Sequence, residues 1–317
     1  MSKTQQSHVY SYTPLSTPRC FRVLEVSPGR IGEPLCCALI EHSLDDPPQY
    51  KALSYTWGDP TRTREVLIGD TKLGITENLY FALSSIRDAD VSITLWADAI
   101  CIDQSNIPER NAQVRCMRDI YEKVDEVVVS LGREADGSEG IPSLFERINR
   151  AYKAHLTDHE NAHTYEFDTS KSDILPDKFK DLGLPHFKSP EWTTLTKFLY
   201  RPWLRRTWIL QEVVMAKHTI VMCGDWEMPW DQWISRLSGI IETGVLFSCH
   251  HELDGEQMHK VGFAIQNMEW IRALKMRRER VTQKMQWVRD VKMRRDRRPH
   301  PSTSTKTDRN AGQLPGL

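Results

Sequence analysis

Residues 92–131 have the sequence SITLWADAICIDQSNIPERNAQVRCMRDIYEKVDEVVVSL, in which two apolar runs flank a polar loop and a helical pattern. We expect a core strand over Ser92–Ala99. Val127–Leu131 is a short, almost entirely apolar run that ends at Gly132, which is typical of a buried parallel strand. Strand, helix and strand in about 40 residues predict a βαβ unit with a right-handed crossover.

The helix between these strands carries its own start signal. Ser105 or Asn106 can cap it, and Pro108 falls in the first turn, where a missing N–H costs nothing. Its apolar stripe is predicted to comprise Val114, Met117, Tyr121 and Val124.

A third strand and a hairpin are predicted upstream. Lys51–Trp57 alternates as a half-buried strand does. The two faces carry Leu53, Tyr55 and Trp57 on one side and Ala52, Ser54 and Thr56 on the other. Glu65–Ile68 and Lys72–Ile75 flank Gly69-Asp70, a two-residue hairpin signal. The sequence therefore predicts an α/β fold with a mostly parallel sheet flanked by helices, together with additional helices and a β-hairpin.

Proline and charge patterns divide the chain into four predicted parts. They are an N-terminal extension (1–48), a main domain (49–225), a helical extension packed on that domain (226–274) and a basic tail expected to be disordered (275–317). Pro47-Pro48 marks the first boundary. We also expect a long polar loop over His155–Ser189 and helices over Trp203–Ala216 and Met258–Leu274.

Composition excludes several classes of protein. The 317 residues are 39% hydrophobic and include ten tryptophans, which fits a globular protein. From Lys275 onward there are 13 basic and 4 acidic residues, whereas the preceding part has 29 and 39. An acidic body argues against nucleic-acid binding, and a solvated basic helix or disordered tail is favoured over contact with nucleic acid or anionic lipid.

No run of 18 apolar residues and no signal-peptide profile is present, so we expect no membrane span. Seven cysteines without a Cys-x-x-Cys pair favour reduced thiols in a cytoplasmic protein. His155, His159 and His163 recur every four residues, but helix propensity there is poor and no cysteine lies nearby. We therefore expect no metal site.

The loop after the first predicted strand is a candidate site. Gly58-Asp59-Pro60 turns sharply and leaves Asp59 and Arg62 beyond the carboxyl end of that strand, where ligands bind in open α/β sheets. The alternative is that Asp59 only caps a turn while Trp57 fills the core.

A second group of charged residues surrounds the next strand. Asp98 lies between two alanines in an apolar run, so it needs a cation or several N–H donors. Arg110 is the predicted partner, either as part of a site or as a structural ion pair. Glu109 falls where a helix N-terminus favours negative charge.

The third group lies on one predicted helix. Trp208, Gln211 and Glu212 share it, with Trp208 and Glu212 four residues apart on one face. A carboxylate beside an indole suits a cationic or oxocarbenium-like species. The same carboxylate could instead form a buried salt bridge to Arg201 or Arg205.

The order and spacing of these three groups resemble the three blocks of the fungal heterokaryon incompatibility (HET) domain, over about Tyr50 to Asp225. The first block, "alSYvWGd", matches Ala52–Asp59. The second, "lWiDaiCInQ…Er…qv…M…iY", matches Leu95–Gln104, Glu109, Arg110, Gln113, Val114, Met117, Ile120 and Tyr121. The third, "RpWf.R.WviQEv", matches Arg201–Val213. Asp103, Leu204 and Ser130 depart from the family pattern.

A shorter resemblance is to plant Toll/interleukin-receptor (TIR) domains. LSYTWGDPTR is similar to their opening "LSFRGEDTR", and WILQEV is similar to their W-x-x-x-E-L helix. In that family the helix glutamate serves cleavage of the nicotinamide–ribose bond of NAD, and it maps onto Glu212. Tyr55 or Trp57 could then stack on a base or on the nicotinamide.

These resemblances imply a TIR-like fold and a role in non-self recognition and regulated cell death. NAD is a candidate substrate and no cofactor is expected. Protein partners in an incompatibility or death pathway are implied, and a homo-oligomer is an open alternative. The competing interpretation is a non-catalytic signalling adaptor of the same fold, in which the three blocks form an oligomerisation surface.

Overall fold

The computed structural model describes residues 8–158, 176–186, 188–206, 209–242, 245 and 255–296. The polypeptide up to Lys275 forms one compact unit, and the remainder from Met276 is a second unit. None of the described helices is long and apolar enough to cross a membrane.

The described chain forms one mixed sheet of ten strands. Their bounds are β1 His8–Val9, β2 Cys20–Val26, β3 Cys36–Ser43, β4 Lys51–Tyr55, β5 Arg64–Ile68, β6 Thr71–Ile75, β7 Ile93–Trp96, β8 Glu126–Ser130, β9 His218–Cys223 and β10 Trp226–Pro229. Their order is β1-β6-β5-β3-β2-β7-β4-β8-β9-β10. Five of the nine pairings are parallel, including the consecutive set β7-β4-β8-β9. The α/β prediction is confirmed.

Nine α-helices accompany this sheet in the described residues. They are α1 Glu77–Ile86, α2 Asp98–Cys101, α3 Ile107–Lys123, α4 Ile141–Asp158, α5 Pro176–Asp181, α6 Pro190–Leu199, α7 Ile209–Met215, α8 Trp230–Glu242 and α9 Gly255–Asp296. Short 3₁₀ turns lie at Ser138–Gly140 and Pro202–Arg205.

The N-terminal part belongs to the sheet. β2 pairs along its whole length with β3 and also pairs with β7, so it connects the hairpin side of the sheet to the parallel centre. Phe21, Val23, Leu24 and Val26 are at most 1% exposed. The predicted boundary at residue 48 is therefore not a boundary between folded units, because a strand inserted mid-sheet is part of the core.

The predicted hairpin is present as β5 and β6, with Ile68 opposite Thr71. Gly69 has a φ of +58°, a left-handed conformation that glycine adopts without strain. β4 ends at Tyr55 and is buried on both faces, not on one. This is typical of a strand in the parallel part of a sheet, where helices cover the faces.

The βαβ unit is confirmed, with two corrections. β7 ends at Trp96, so Asp98 begins the single-turn helix α2 and does not lie inside a strand. In α3 the Asn106 side chain caps the helix as predicted, but Val114 is 43% exposed and Gln113 is buried in its place. Gln113 tolerates burial because its Nε2 donates to the Cys20 carbonyl at 2.8 Å.

The structure differs most from the predictions in the part of the chain after residue 155. The helix expected over Trp203–Ala216 is a 3₁₀ turn followed, after two residues outside the described part, by α7. The predicted loop over His155–Ser189 contains the end of α4 and all of α5, and His159 and His163 fall outside the described residues. α9 continues to Asp296, so the first half of the expected disordered tail is helical.

Candidate functional site

Three parallel strands end side by side at one edge of the sheet. The carboxyl end of β4 continues into Trp57, that of β7 into Asp98, and that of β8 into Leu131. We call the group formed there by Tyr55, Trp57, Asp98, Arg206 and Glu212 the edge cluster. Such edges are where open α/β sheets place ligands.

The Asp98 carboxylate accepts hydrogen bonds from one side chain and from the backbone. The Trp57 indole N–H lies 3.1 Å and 3.0 Å from the two carboxylate oxygens, and the Ala99 amide donates to Oδ1 at 2.8 Å. Gly58 follows Trp57 with a φ of +71°, and a side chain there would collide with Asn78. The glycine turn therefore lets the loop after β4 pass close to α1 while Trp57 reaches Asp98.

Glu212 is the buried carboxylate of the cluster. It is 2% exposed, and its Oε2 accepts the Ser54 hydroxyl while its Oε1 receives Arg206 Nη2 at 3.2 Å. Trp203 Nε1 donates to the same Ser54 oxygen at 2.8 Å. These bonds connect β4 to the chain that leads into α7.

Arg206 is the cation that both carboxylates share. Its Nη1 also donates to the Tyr55 carbonyl at 2.6 Å. Burial raises the pKa of Glu212, against the opposing charge of Arg206 and with a further rise from the charge of Asp98. Burial likewise raises the pKa of Asp98, against the Trp57 hydrogen bond and Arg206. The two carboxylates therefore disfavour each other's ionised form.

Tyr55 completes the cluster from the last position of β4. It is 3% exposed, and its hydroxyl faces Asp98 without completing a hydrogen bond of ordinary geometry in the described part of the chain. Burial raises the pKa of Tyr55 well above its usual value, and the negative charge of Asp98 adds to the rise. The hydroxyl is therefore a neutral donor beside a carboxylate.

The loop residues after β4 separate into two roles. Asp59 is exposed, and its Oδ1 accepts the Thr61 amide at 2.8 Å, which lowers its pKa. This matches the turn-capping alternative. Trp57, however, is 39% exposed and does not fill the core. Arg62 is exposed beside Gly74, and no ion pair joins it to Asp98 or Glu212 in the described residues.

The predicted pairing of Asp98 with Arg110 is wrong. Arg110 is exposed, and no ion pair joins it to Asp98 in the parts of the chain described. Glu109 instead forms a buried pair with Arg22, at 2.6 Å from Oε1 to Nη1, with the two side chains 7% and 4% exposed. Helix α3 turns Glu109 inward toward β2 and so turns its neighbour Arg110 outward.

The third predicted group is only partly assembled. Gln211 is exposed, and Trp208 lies outside the described residues. Arg201 donates to the Leu131 carbonyl at 2.7 Å, and the Arg205 guanidinium lies 4.5 Å from the centre of the Tyr200 ring. The salt bridge anticipated for Glu212 thus exists, but its partner is Arg206.

Sequence reasoning missed Ser54, Arg206 and Arg22. Helical periodicity does not show whether Arg205 or Arg206 pairs with Glu212. The reason is that the 3₁₀ turn at Pro202–Arg205 has fewer residues per turn than an α-helix. Ser54 was placed on the correct strand, but its hydroxyl gave no signal of a carboxylate 158 residues away. Among the described residues no group of three His, Cys, Asp or Glu side chains could hold a metal ion.

Comparison with known proteins covers this same region. The model of the family "Heterokaryon incompatibility protein (HET)" matches residues 50–212, just over half of the chain. "Heterokaryon incompatibility protein 6, OR allele" of Neurospora crassa is 27% identical over 265 residues, covering 76% of this chain and 38% of that relative. The chain therefore spans less than half the length of this relative. No solved structure matches the chain, so the TIR resemblance stays a prediction.

The matched residues run from the strand that carries Ser54 and Tyr55 to Glu212 itself, and they include the second motif with Asp98. The chain belongs to the heterokaryon incompatibility (HET) family.

Proposed function

We propose that this protein acts in fungal non-self recognition and triggers regulated cell death in the cytoplasm. The observation that carries the proposal is the family match, which spans all five members of the edge cluster. The name of the Neurospora crassa relative places that protein in heterokaryon incompatibility and supports the same role here.

The test is induced expression of the full chain in a fungal host. We expect growth arrest and loss of viability, and we expect Glu212→Gln to relieve both. A matched control is Glu146→Gln. It removes a carboxylate that is 64% exposed and whose Oε1 forms a long ion pair, 3.8 Å, with Arg236 Nη2. A wild-type chain that leaves growth unaffected at a verified expression level would contradict the proposal.

A finer proposal is that death follows from hydrolysis of NAD at the edge cluster. Loss of nicotinamide develops an oxocarbenium-like sugar, which a fixed carboxylate stabilises, as in glycoside hydrolysis. Glu212 and Asp98 are the carboxylates at the carboxyl edge of β4 and β7. Support for this step is the presence of carboxylates with raised pKa in a place where α/β sheets bind ligands.

Release of nicotinamide from NAD by the purified chain tests this step. Losing one preorganised electrostatic group typically costs about 10²–10³ in rate, so Glu212→Gln should reduce turnover to that extent. Because Glu212 is also bonded to Ser54 and Arg206, the melting temperature of the variant has to be measured beside its turnover. Lost turnover in a variant that melts like wild type assigns a chemical role to Glu212.

The second candidate is a non-catalytic adaptor, and the bonding of Glu212 is the observation that favours it. A carboxylate that is 2% exposed and paired with an arginine braces the fold even without any reaction. The adaptor predicts toxicity without any NAD turnover, and a Glu212→Gln protein that is both less stable and less toxic. Light scattering of the purified chain then tests for a homo-oligomer, and capture from fungal extract tests for protein partners.

A further inference from the structure

The edge cluster contains two carboxylates and one guanidinium. Arg206 Nη2 is 3.2 Å from Glu212 Oε1, whereas no ion pair joins Asp98 to a cation in the described residues. An uncompensated carboxylate in a place of restricted water is costly, and a ligand that carries a positive charge relieves that cost. Glu212 is bonded directly to Arg206, so the unmatched charge belongs to Asp98.

An aromatic surface lies next to that unmatched charge. The Trp57 indole is hydrogen-bonded to both Asp98 oxygens through its N–H edge, yet the residue is 39% exposed. Part of the ring is therefore open to solvent while its edge stays fixed. Tryptophan has the most favourable ring for a cation to stack on.

A buried hydroxyl beside the carboxylate completes the arrangement. The Tyr55 hydroxyl faces Asp98, and Tyr55 is 3% exposed. The hydroxyl interacts with the Asp98 carboxylate, but no hydrogen bond of ordinary geometry satisfies it in the described residues, so it can also donate to a water or a ligand atom. The hydroxyl, the carboxylate and the indole therefore lie together at one place.

We propose that Trp57, Asp98 and Tyr55 form a binding subsite for an aromatic cation of the pyridinium type. The ring stacks on the open part of the Trp57 indole, its positive charge lies against Asp98, and the Tyr55 hydroxyl donates to an acceptor on the ring or to the carboxylate. Glu212 forms the ion pair with Arg206, which leaves Asp98 to bind the ligand.

This inference deepens the NAD proposal, because the nicotinamide of NAD is a pyridinium cation that becomes neutral when it leaves. A subsite that binds the cation through charge releases the neutral product readily. Binding and turnover are separate measurements, so the subsite is tested without any reaction.

The experiment is calorimetric titration of the full chain with two probes that differ in one charge. The first is the ring-methylated nicotinamide cation and the second is neutral nicotinamide. We expect the cation to bind about tenfold more tightly, a preference of about 1.4 kcal/mol. We expect Asp98→Asn to abolish this preference, because the amide still accepts from Trp57 but carries no charge.

Two further variants keep the result interpretable. Trp57→Leu should weaken binding of both probes, since it removes the ring and leaves the carboxylate. Asp88→Asn is the matched control, because Asp88 is an exposed aspartate whose Oδ1 only accepts the Asp90 and Val91 amides of its own turn. It should bind both probes as wild type does.

Equal affinity of wild type for the two probes overturns the subsite, and so does a cation preference that survives in a folded Asp98→Asn protein. If Asp98→Asn does not fold, Trp57→Leu decides, and unchanged binding there overturns the proposal. Cation binding without any NAD turnover supports the subsite and contradicts catalysis. Turnover of NAD without cation preference leaves the proposed function standing and removes the subsite.

Discussion

At the scale of single residues, the Arg22–Glu109 pair is the most demanding interaction outside the edge cluster. Arg22 Nη1 and Nη2 bind Glu109 at 2.6 Å and 3.1 Å, and Nη2 also donates to the Thr13 carbonyl at 2.6 Å. Both side chains are under 10% exposed. Such a pair stabilises little relative to apolar residues, but breaking it leaves a buried charge.

We therefore expect Glu109→Ala to lower the free energy of unfolding by about 3–5 kcal/mol. The control is Asp45→Ala, which breaks the Arg19–Asp45 pair whose side chains are 49% and 66% exposed. That loss should stay within about 1 kcal/mol. Urea unfolding followed by circular dichroism measures both. Equal midpoints for the two variants would show that Arg22 finds another partner or reaches water.

The raised pKa of Glu212 predicts how stability depends on pH. Below the pKa that the carboxyl has in the unfolded chain, ordinarily 4.5, it is protonated in both states and its burial as an ion costs nothing. As the pH rises through the raised pKa of the folded state, stability is lost, because the unfolded chain holds the ionised form in water. Asp98 acts in the same direction.

Glu212→Gln removes this titration. The free energy of unfolding that the variant loses relative to wild type should therefore be larger at about pH 4, in the ordinary carboxyl range, than at about pH 7. Urea unfolding of both proteins across that range measures the difference. A cost that grows with rising pH would mean that Arg206 dominates over burial and that the pKa is lowered instead.

Single residues also show what could be predicted without a structure. Asp98 is predicted as a site residue from its place in an apolar run, Glu212 from its place beside an indole, and Tyr55 and Trp57 from the TIR resemblance. The structure brings all four together. Their partners were not predictable, because Asp98 to Trp57 and Glu212 to Ser54 join residues far apart in the sequence. A periodic pattern fixes which face a residue occupies and not which residue lies opposite.

At the scale of elements, the strands that precede the family match matter most for the fold. The sequence predicted β4, the hairpin and the βαβ unit, all of which have strong local patterns. It predicts residues 1–48 to be an extension, because prolines punctuate them and Pro47-Pro48 marks a boundary. β2 is almost entirely buried, and its place between β3 and β7 depends on pairings that are non-local.

A fragment that begins at Tyr50 should therefore fail to fold, although it contains the whole family match. It lacks Phe21, Val23, Leu24 and Val26, each at most 1% exposed. At about 1.5–3 kcal/mol for each buried side chain, their loss approaches the about 5–15 kcal/mol stability of a typical domain. Near-ultraviolet circular dichroism and urea unfolding of the fragment measure this.

The control is a chain that begins at His8, which keeps every described strand and should unfold as the full chain does. A fragment from Tyr50 with a cooperative transition at the midpoint of the full chain would contradict the argument. In that case β2 and β3 would be an accessory to a core formed by the parallel strands alone.

At the scale of the whole molecule, the charge asymmetry coincides with a structural division. The basic excess begins at Lys275, and the compact unit ends there. The sequence predicted this boundary from composition, because charge and a lack of periodic apolar residues are visible without contacts. It left open a solvated helix or a disordered tail, because tertiary support is usually what stabilises a helix, and the structure shows a helix that continues to Asp296.

Lys275 itself belongs to the compact unit. It is 7% exposed, and its Nζ donates to the Thr219 hydroxyl on β9 at 3.3 Å, whereas Met276 is 46% exposed. Deletion of residues 276–317 should leave the melting temperature within about 2 °C of the full chain, while deletion of 275–317 should lower it by several degrees, about 2–4 °C per kcal/mol lost. Differential scanning calorimetry of the two truncations, which differ by one residue, measures this. Equal melting of the two would show that Lys275 contributes nothing to the unit, and a loss on both deletions would show that the basic helix supports it.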